Sequence, residues 1–158
     1  MRPDTLDRLA ADYTRFPVMF AGESVQADEL DVAAVRVGVP LSADYREFVA
    51  RFGGGHAGAF SVAGLRRWEA AGIGEWCVLE KTERFRAEKW PGTELWAVFS
   101  DDGFGNPIGL DADGRVWLSD HNSRECVCLE AGFEDWLRMW ALRMDPLRGD
   151  GYLAQWVW

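Results

Sequence analysis

The side chains of this sequence that could do acid–base or nucleophilic chemistry are few: His56, His121, Cys77, Cys126 and Cys128. His121 lies in Asp120-His121-Asn122, shortly before Cys126, an order compatible with a Cys-His-Asp nucleophile site. However, a cysteine within a β-favouring run is usually a small buried apolar residue, and a histidine in a polar turn is usually solvated. We therefore predict no catalytic residues and keep a Cys/His-dependent enzyme as the remote alternative.

Three other short patterns resemble ligand-binding motifs but lack essential parts. Cys126-x-Cys128 has no second cysteine pair and a shorter spacing than zinc sites use. Asp101-Asp102 and Asp111-x-Asp113-Gly114 resemble the start of a calcium loop without its downstream glutamate. Gly53-Gly54-Gly55-His56 lacks the lysine of a phosphate-binding loop. We predict neither a metal nor a cofactor.

The charge of the chain narrows the classes of partner. It carries 26 acidic and 17 basic residues, a net charge of −9, which argues against general affinity for nucleic acid or an anionic membrane. A basic protein partner is compatible with this charge. The first residues, Met1 to Tyr13, lack the continuous apolar stretch of a secretory signal, so we expect a cytoplasmic protein with reduced, mostly buried thiols.

Helical patterns dominate the first third of the chain. Apolar spacing predicts helices over 4–16 and from Asp28 to Val37, the second ending at Gly38. Ser42 is a good N-cap for a third helix, which ends at the glycines after Phe52. Its apolar residues recur at positions i, i+3, i+4 and i+7: Tyr45, Phe48, Val49 and Phe52.

The rest of the chain favours strands and one closing helix. Short β-favouring runs predict six strands: Ala59–Val62, Trp76–Leu79, Leu95–Phe99, Ile108–Asp111, Val116–Ser119 and Cys126–Leu129. Asp113-Gly114 predicts a hairpin turn, and the stretch from Glu80 to Trp90 fits a solvated helix or a loop. A helical stripe begins at Phe133. We predict an α+β fold with N-terminal helices, an antiparallel meander-like sheet and a closing C-terminal helix.

One domain should cover residues 1–146, followed by an aromatic tail over 147–158. The tail contains Tyr152, Trp156 and Trp158, and such side chains are seldom left in water. It should either pack on its own domain or meet a partner. The sequence leaves the oligomeric state open, with dimerisation through this tail as one alternative.

Acidic residues are concentrated between positions 101 and 135, where nine carboxylates accompany two arginines, a net charge of −7. Two interpretations stand: an ordinary solvated surface, or a docking face for a basic partner. Most of the nine tryptophans should lie in the core, and one or two could anchor a partner. The candidate partner-binding residues are Asp101, Asp102, Asp111, Asp113, Asp120, Glu125 and Trp117.

Two segments resemble the SMI1/KNR4 (SUKH) superfamily. The first is Val39-Pro40-Leu41-Ser42-x-x-Tyr45-x-x-Phe48-Val49-x-x-Phe52-Gly53-Gly54-Gly55, similar to the family's proline, tyrosine, helix and glycine-rich end. The second is Val98-Phe99-Ser100-Asp101-Asp102-Gly103-Phe104-Gly105-Asn106-Pro107-Ile108-Gly109-Leu110-Asp111, a strand, an acidic glycine-rich turn and a strand. Leu41 follows the proline where the family usually has leucine before it, and Gly53 replaces an asparagine.

The resemblance implies a non-catalytic α+β domain. Most bacterial members are immunity proteins that neutralise toxins, often nucleases or nucleic-acid deaminases, and some eukaryotic relatives are regulatory interaction modules. The implied role is an immunity protein with a cognate toxin as partner. The alternative is a regulatory or scaffold module.

Overall fold

The structure, a computed structural model, describes residues 1–22, 25–70 and 73–144. Five α-helices lie within these ranges: α1 (Pro3–Arg15), α2 (Ala27–Val37), α3 (Ala43–Phe52), α4 (Val78–Ala87) and α5 (Phe133–Trp136). The last continues into a π-helical segment, Leu137–Ala141, and two 3₁₀ turns cover Pro17–Met19 and Thr93–Leu95. Among the described residues, no helix is long and apolar enough to cross a bilayer.

Eight strands in the described part of the chain form three antiparallel sheets. The strands are β1 (Gly55–Ala57), β2 (Phe60–Val62), β3 (Trp68–Ala70), β4 (Ile73–Glu75), β5 (Ala97–Asp101), β6 (Pro107–Leu110), β7 (Val116–Ser119) and β8 (Cys126–Glu130). β1 pairs with β2 and β3 with β4, whereas β5, β6, β7 and β8 form a four-stranded meander in chain order. The predicted α+β class, with its N-terminal helices, meander and closing helix, is confirmed.

The core is aromatic and is centred on α3. Tyr45 is fully buried, and its ring lies 5.8 Å from Phe99 of β5 and 5.2 Å from Phe133 of α5, measured between centroids. Its hydroxyl donates a 2.6 Å hydrogen bond to the carbonyl oxygen of Ala63. Burial raises the pKa of Tyr45 far above its ordinary value. The Tyr45 side chain therefore connects α3 with the segment after β2 and with the four-stranded sheet.

The glycines after α3 allow two backbone segments to touch. Gly54 has φ 113°, and a Cβ atom there would lie 2.7 Å from the backbone nitrogen of Gly64. A Cβ atom on Gly64 would lie 1.7 Å from the carbonyl oxygen of Gly53. These are clashes with backbone atoms, which cannot move away as a side chain can, so the contact requires glycine at these positions.

The strand predicted over Trp76–Leu79 is wrong. Cys77 is the N-cap of α4. The side chain of Glu80 reaches back and accepts a 3.2 Å hydrogen bond from the backbone N–H of Cys77. This capping box converts an apolar run into a helix start. The stretch left open between helix and loop, Glu80 to Trp90, is helical as far as Ala87. β1, β3 and β4 were not predicted.

Most other predicted elements are confirmed within a few residues. The strand expected at Leu95 begins at Ala97, because Leu95 belongs to a 3₁₀ turn. The Asp113-Gly114 hairpin is present, with Gly114 at φ 80°. The expectation of mostly buried thiols is wrong, since Cys77 alone of the three cysteines is buried and the other two lie exposed on β8. The tail, 147–158, lies outside the described residues.

Replacing Tyr45 with phenylalanine tests the central hydrogen bond. The ring contacts stay and the hydroxyl is lost, so the Ala63 carbonyl loses its partner inside the core. We expect the free energy of unfolding to fall by about 1–2 kcal/mol. Urea unfolding followed by tryptophan fluorescence measures it, and an unchanged midpoint would contradict this role.

Candidate partner-binding surface

The meander separates the predicted binding residues into two groups. β5 runs towards a turn over 102–106, β6 returns to a turn over 111–115, and β7 leads back to a turn over 120–125. The turns over 102–106 and 120–125 therefore share one end of the sheet, which we call the turn end. Asp111 and Asp113 lie at the opposite end, so the six carboxylates do not form one face.

The first turn of the turn end presents an exposed aromatic ring. The carboxylate of Asp102 accepts hydrogen bonds from the backbone N–H of Phe104 at 2.9 Å and of Asn106 at 3.0 Å, and from the Asn106 amide at 2.7 Å. Gly103 and Gly105, both at positive φ, flank Phe104. The ring of Phe104 is 64% exposed. An apolar side chain held outward on a fixed turn is a suitable anchor for a protein partner.

Asp101 is committed to an internal ion pair. Its carboxylate lies 2.9 Å from the ammonium of Lys81, whose side chain is almost completely buried on α4. Burial acts to raise the pKa of Asp101, but the Lys81 charge and hydrogen bonds from Lys81 and the Gly103 backbone outweigh it and lower that pKa. Asp101 thus has a structural role in addition to any role in binding.

The second turn is fastened to the first. The backbone N–H of His121 donates to the Asn106 side-chain oxygen at 3.0 Å, and its ring Nδ1 lies 2.6 Å from the same oxygen. Asp120 accepts a 2.7 Å hydrogen bond from the Asn122 backbone, and Glu125 is exposed. The two turns therefore present their side chains as one surface.

A groove of about 360 Å³ adjoins this surface. It is bounded by the turn after β7 and by the segment that follows α4. Its lining residues are Glu88, Lys89, Trp90, Pro91, Asp120, His121 and Arg124. The ring of Trp90 contacts His121 at 6.2 Å between centroids. The groove is wide enough for a side chain of a partner, and it carries both signs of charge.

At the opposite end, the candidate residues stabilise their own turn. Asp111 accepts hydrogen bonds from the backbone N–H groups of Asp113 and Arg115 and, at 2.8 Å, from the indole of Trp117. Trp117 is half-buried and stacks on Trp96 at an interplanar angle of 18°. Trp117 is thus part of the outer face of the sheet, outside the turn end.

The arrangement of the thiols and histidines is unlike that of a nucleophile site. Burial raises the pKa of Cys77, and partial desolvation on the sheet raises that of the exposed Cys126 and Cys128, which disfavours the reactive thiolate. His121 is directed to Asn106, and His56 packs edge-on against Trp68. Within the described ranges, no group of three or more His, Cys, Asp or Glu side chains is arranged to hold a metal ion.

Phe104 is absent from the candidate binding residues of the sequence analysis, although the sequence contains a signal for its exposure. It lies in Gly103-Phe104-Gly105 directly after Asp101-Asp102, and an acidic, glycine-rich segment between two strands indicates a surface turn. Trp76 is a second exposed aromatic residue that the sequence analysis did not name as a candidate. It is exposed, but the guanidinium groups of Arg67 and Arg84 lie 5.8 and 5.3 Å from its ring, so its surroundings are cationic.

The motifs that build this fold are those of a known family. The model of the SMI1/KNR4 family (SUKH-1) matches residues 24–139, which include α2, α3, the whole meander and α5. The chain belongs to the SMI1/KNR4 family. Comparison with curated proteins finds no significant match. Both turns of the turn end lie within the SMI1/KNR4 match.

Asp101→Asn tests the ion pair beneath the turn end. The Lys81 ammonium would then face a neutral amide, and we expect the free energy of unfolding at neutral pH to fall by about 2–3 kcal/mol. Asp113→Asn is the matched control, because its exposed pair with Arg115 should contribute less than about 1 kcal/mol. Equal losses in the two variants would contradict the structural role of Asp101.

The same pair predicts a pH dependence. Because the pKa of folded Asp101 lies below its ordinary value of 3.8, its contribution is present above that value and is lost as pH falls through the lower folded pKa. We therefore expect the stability difference between the native protein and Asp101→Asn to shrink below about pH 4. Acid titrations of both proteins by circular dichroism measure this, and a constant difference would contradict it.

Proposed function

We propose that this protein is an immunity protein that binds a cognate bacterial toxin and neutralises it without catalysis. The observation that carries the proposal is the turn end, where Phe104 projects from a fixed acidic turn of an SMI1/KNR4 domain. Family membership supports the class of function, and the geometry supports the surface. The cytoplasm, where thiols stay reduced, is a suitable compartment for its free cysteines.

The proposed partner is a basic protein such as a nuclease or nucleic-acid deaminase. An enzyme of that kind needs a positively charged cleft to hold phosphates. The net charge of −9 favours encounter with such a surface, and Asp102, Asp120 and Glu125 add carboxylates to the two connected turns that include the apolar anchor. An apolar centre with a polar rim is the usual anatomy of a protein interface.

Two of the candidate carboxylates are less suitable for binding. The carboxylate of Asp101 already pairs with the Lys81 ammonium, and Asp111 lies at the end of the sheet opposite Phe104. Asp111, Asp113 and Trp117 would contact the toxin only if its footprint extended along the outer face of the sheet. The proposed site therefore consists of Phe104 with Asp102, Asp120 and Glu125, and Asp101 acts as its support.

Phe104→Ala tests the anchor. If the ring enters a desolvated pocket of the toxin, we expect a loss of about 2 kcal/mol, which is about a 30-fold rise in Kd. Leu95→Ala is a matched control. Leu95 is equally exposed, at 65%, but it lies just before the first residue of β5, at the end of the sheet opposite Phe104. The measurement is calorimetric titration with the toxin encoded beside this gene. Equal affinity of the two variants for the toxin would show that the turn end is not the binding site.

Charge reversal tests the electrostatic part. Glu125→Lys, at the turn end, should slow association by roughly three- to tenfold at low salt, and the difference should largely vanish at about 0.5 M salt. Asp113→Lys changes charge equally at the opposite end and should have little effect. Stopped-flow association rates distinguish them, and a rate indifferent to salt would leave the acidic residues as an ordinary solvated surface.

The alternatives make different predictions. A regulatory module should bind several partners with no neighbouring toxin gene, whereas an immunity protein should bind one partner tightly and protect cells from it. An enzyme would show a turnover that Cys126→Ala or His121→Ala abolishes without unfolding the chain. Co-expression of the toxin with the native protein or with Phe104→Ala reports protection directly.

A further inference from the structure

The groove beside the turn end is lined by two basic residues whose backbone conformation favours glycine. Lys89, just after α4, and Arg124, in the turn after β7, both have φ 58°. In this left-handed region the Cβ atom of an L-residue crowds its own backbone, so a long side chain there raises the free energy of the folded state. Glycine has no Cβ atom and avoids the crowding. The chain therefore has a lysine and an arginine at two positions where glycine would suit the backbone better.

The local hydrogen bonds explain the two backbone conformations but not the two side chains. The chain leaves α4 at Lys89, and the N–H of Trp90 returns to the Phe85 carbonyl at 3.2 Å, as at helix ends that usually have glycine in the left-handed position. The N–H of Arg124 closes its own turn by a 2.8 Å hydrogen bond to the Asp120 carbonyl. Both turns need a residue with positive φ, and neither needs a positive charge.

Neither cation has a counter-ion. Lys89 and Arg124 are exposed, and within the described residues neither forms an ion pair. Two carboxylates also line the groove, but that of Glu88 is in an ion pair on α4, and that of Asp120 accepts a backbone N–H of its own turn. The groove therefore offers two positive charges to a ligand that supplies negative charge.

The groove is joined to the turn that carries Phe104. The side-chain oxygen of Asn106 contacts both the backbone N–H and the ring Nδ1 of His121, which lines the groove. The amide of Asn106 donates to Asp102, whose carboxylate also accepts the Phe104 N–H. A protein interface of ordinary size covers about 800 Å² on each partner. A partner centred on Phe104 would therefore extend over the groove.

We propose that Lys89 and Arg124 bind an aspartate or glutamate side chain of the toxin when the toxin docks on the turn end. This inference rests on the proposed function. Two cations without counter-ions would repel a basic surface, unless that surface places a carboxylate opposite them. A carboxylate accepts charge-assisted hydrogen bonds from a guanidinium and an ammonium. The pair would thus favour a toxin with a carboxylate at this point and disfavour other basic proteins.

Replacing each cation with glutamine separates this contact from long-range attraction. Lys89→Gln and Arg124→Gln make the chain more acidic, so attraction to a basic toxin alone predicts an equal or lower Kd. Loss of a contact with a carboxylate predicts instead a Kd at least about tenfold higher, mainly through faster dissociation. Arg15→Ala removes one charge from the exposed end of α1, outside the groove, and should change Kd less than about twofold. The measurement is stopped-flow association and dissociation with the toxin encoded beside this gene.

Glycine variants make the two roles move in opposite directions. Lys89→Gly and Arg124→Gly remove the crowding, so their melting temperatures should not fall and should rise by about 2–4 °C where the strain is fully relieved. Their Kd for the toxin should rise as in the glutamine variants. A lower melting temperature with an unchanged Kd would show that these side chains stabilise the fold, and it would overturn the proposal.

A double-mutant cycle identifies the toxin carboxylate. Exposed aspartates and glutamates of the toxin are changed one at a time to the amide, and one of them should lose its effect in the background of Lys89→Gln or Arg124→Gln. If Phe104→Ala weakens binding but the groove variants bind as tightly as the native protein, this inference fails and the proposed site stands. A toxin that does not bind the native protein would overturn both.

Discussion

The fold depends on one buried polar contact inside an aromatic core, the hydrogen bond from Tyr45 to the Ala63 carbonyl. A hydroxyl in the core is tolerated only with a partner, so the bond fixes where α3 lies relative to the chain after β2. That chain in turn bonds to β5 through Ala63 and Phe99. The position of β5, and of the turn that presents Phe104, therefore follows from the anchoring of α3.

The acidic turns show how carboxylates can stabilise a backbone and keep their charge. Asp102 and Asp111 each accept two backbone N–H groups of their own turn, and Asp101 compensates the buried ammonium of Lys81. These carboxylates stabilise the backbone first. The electrostatic field remains, because a carboxylate that accepts uncharged backbone donors keeps its charge. The result is turns that are held by hydrogen bonds and still carry negative charge.

The sequence was sufficient for the parts of the fold that local rules determine. The helix from Ala43 to Phe52 and the hairpin at Asp113-Gly114 follow from apolar spacing and turn chemistry. Cys77 was misjudged because the cap formed with Glu80 outweighs a short apolar run. The proposed binding surface follows from the sequence only in part: the acidic residues can be named from it, but strand direction, which places Asp111 and Asp113 at the end of the sheet opposite Phe104, is a property of topology. Exposure of Cys126 likewise depends on β8 being the last strand.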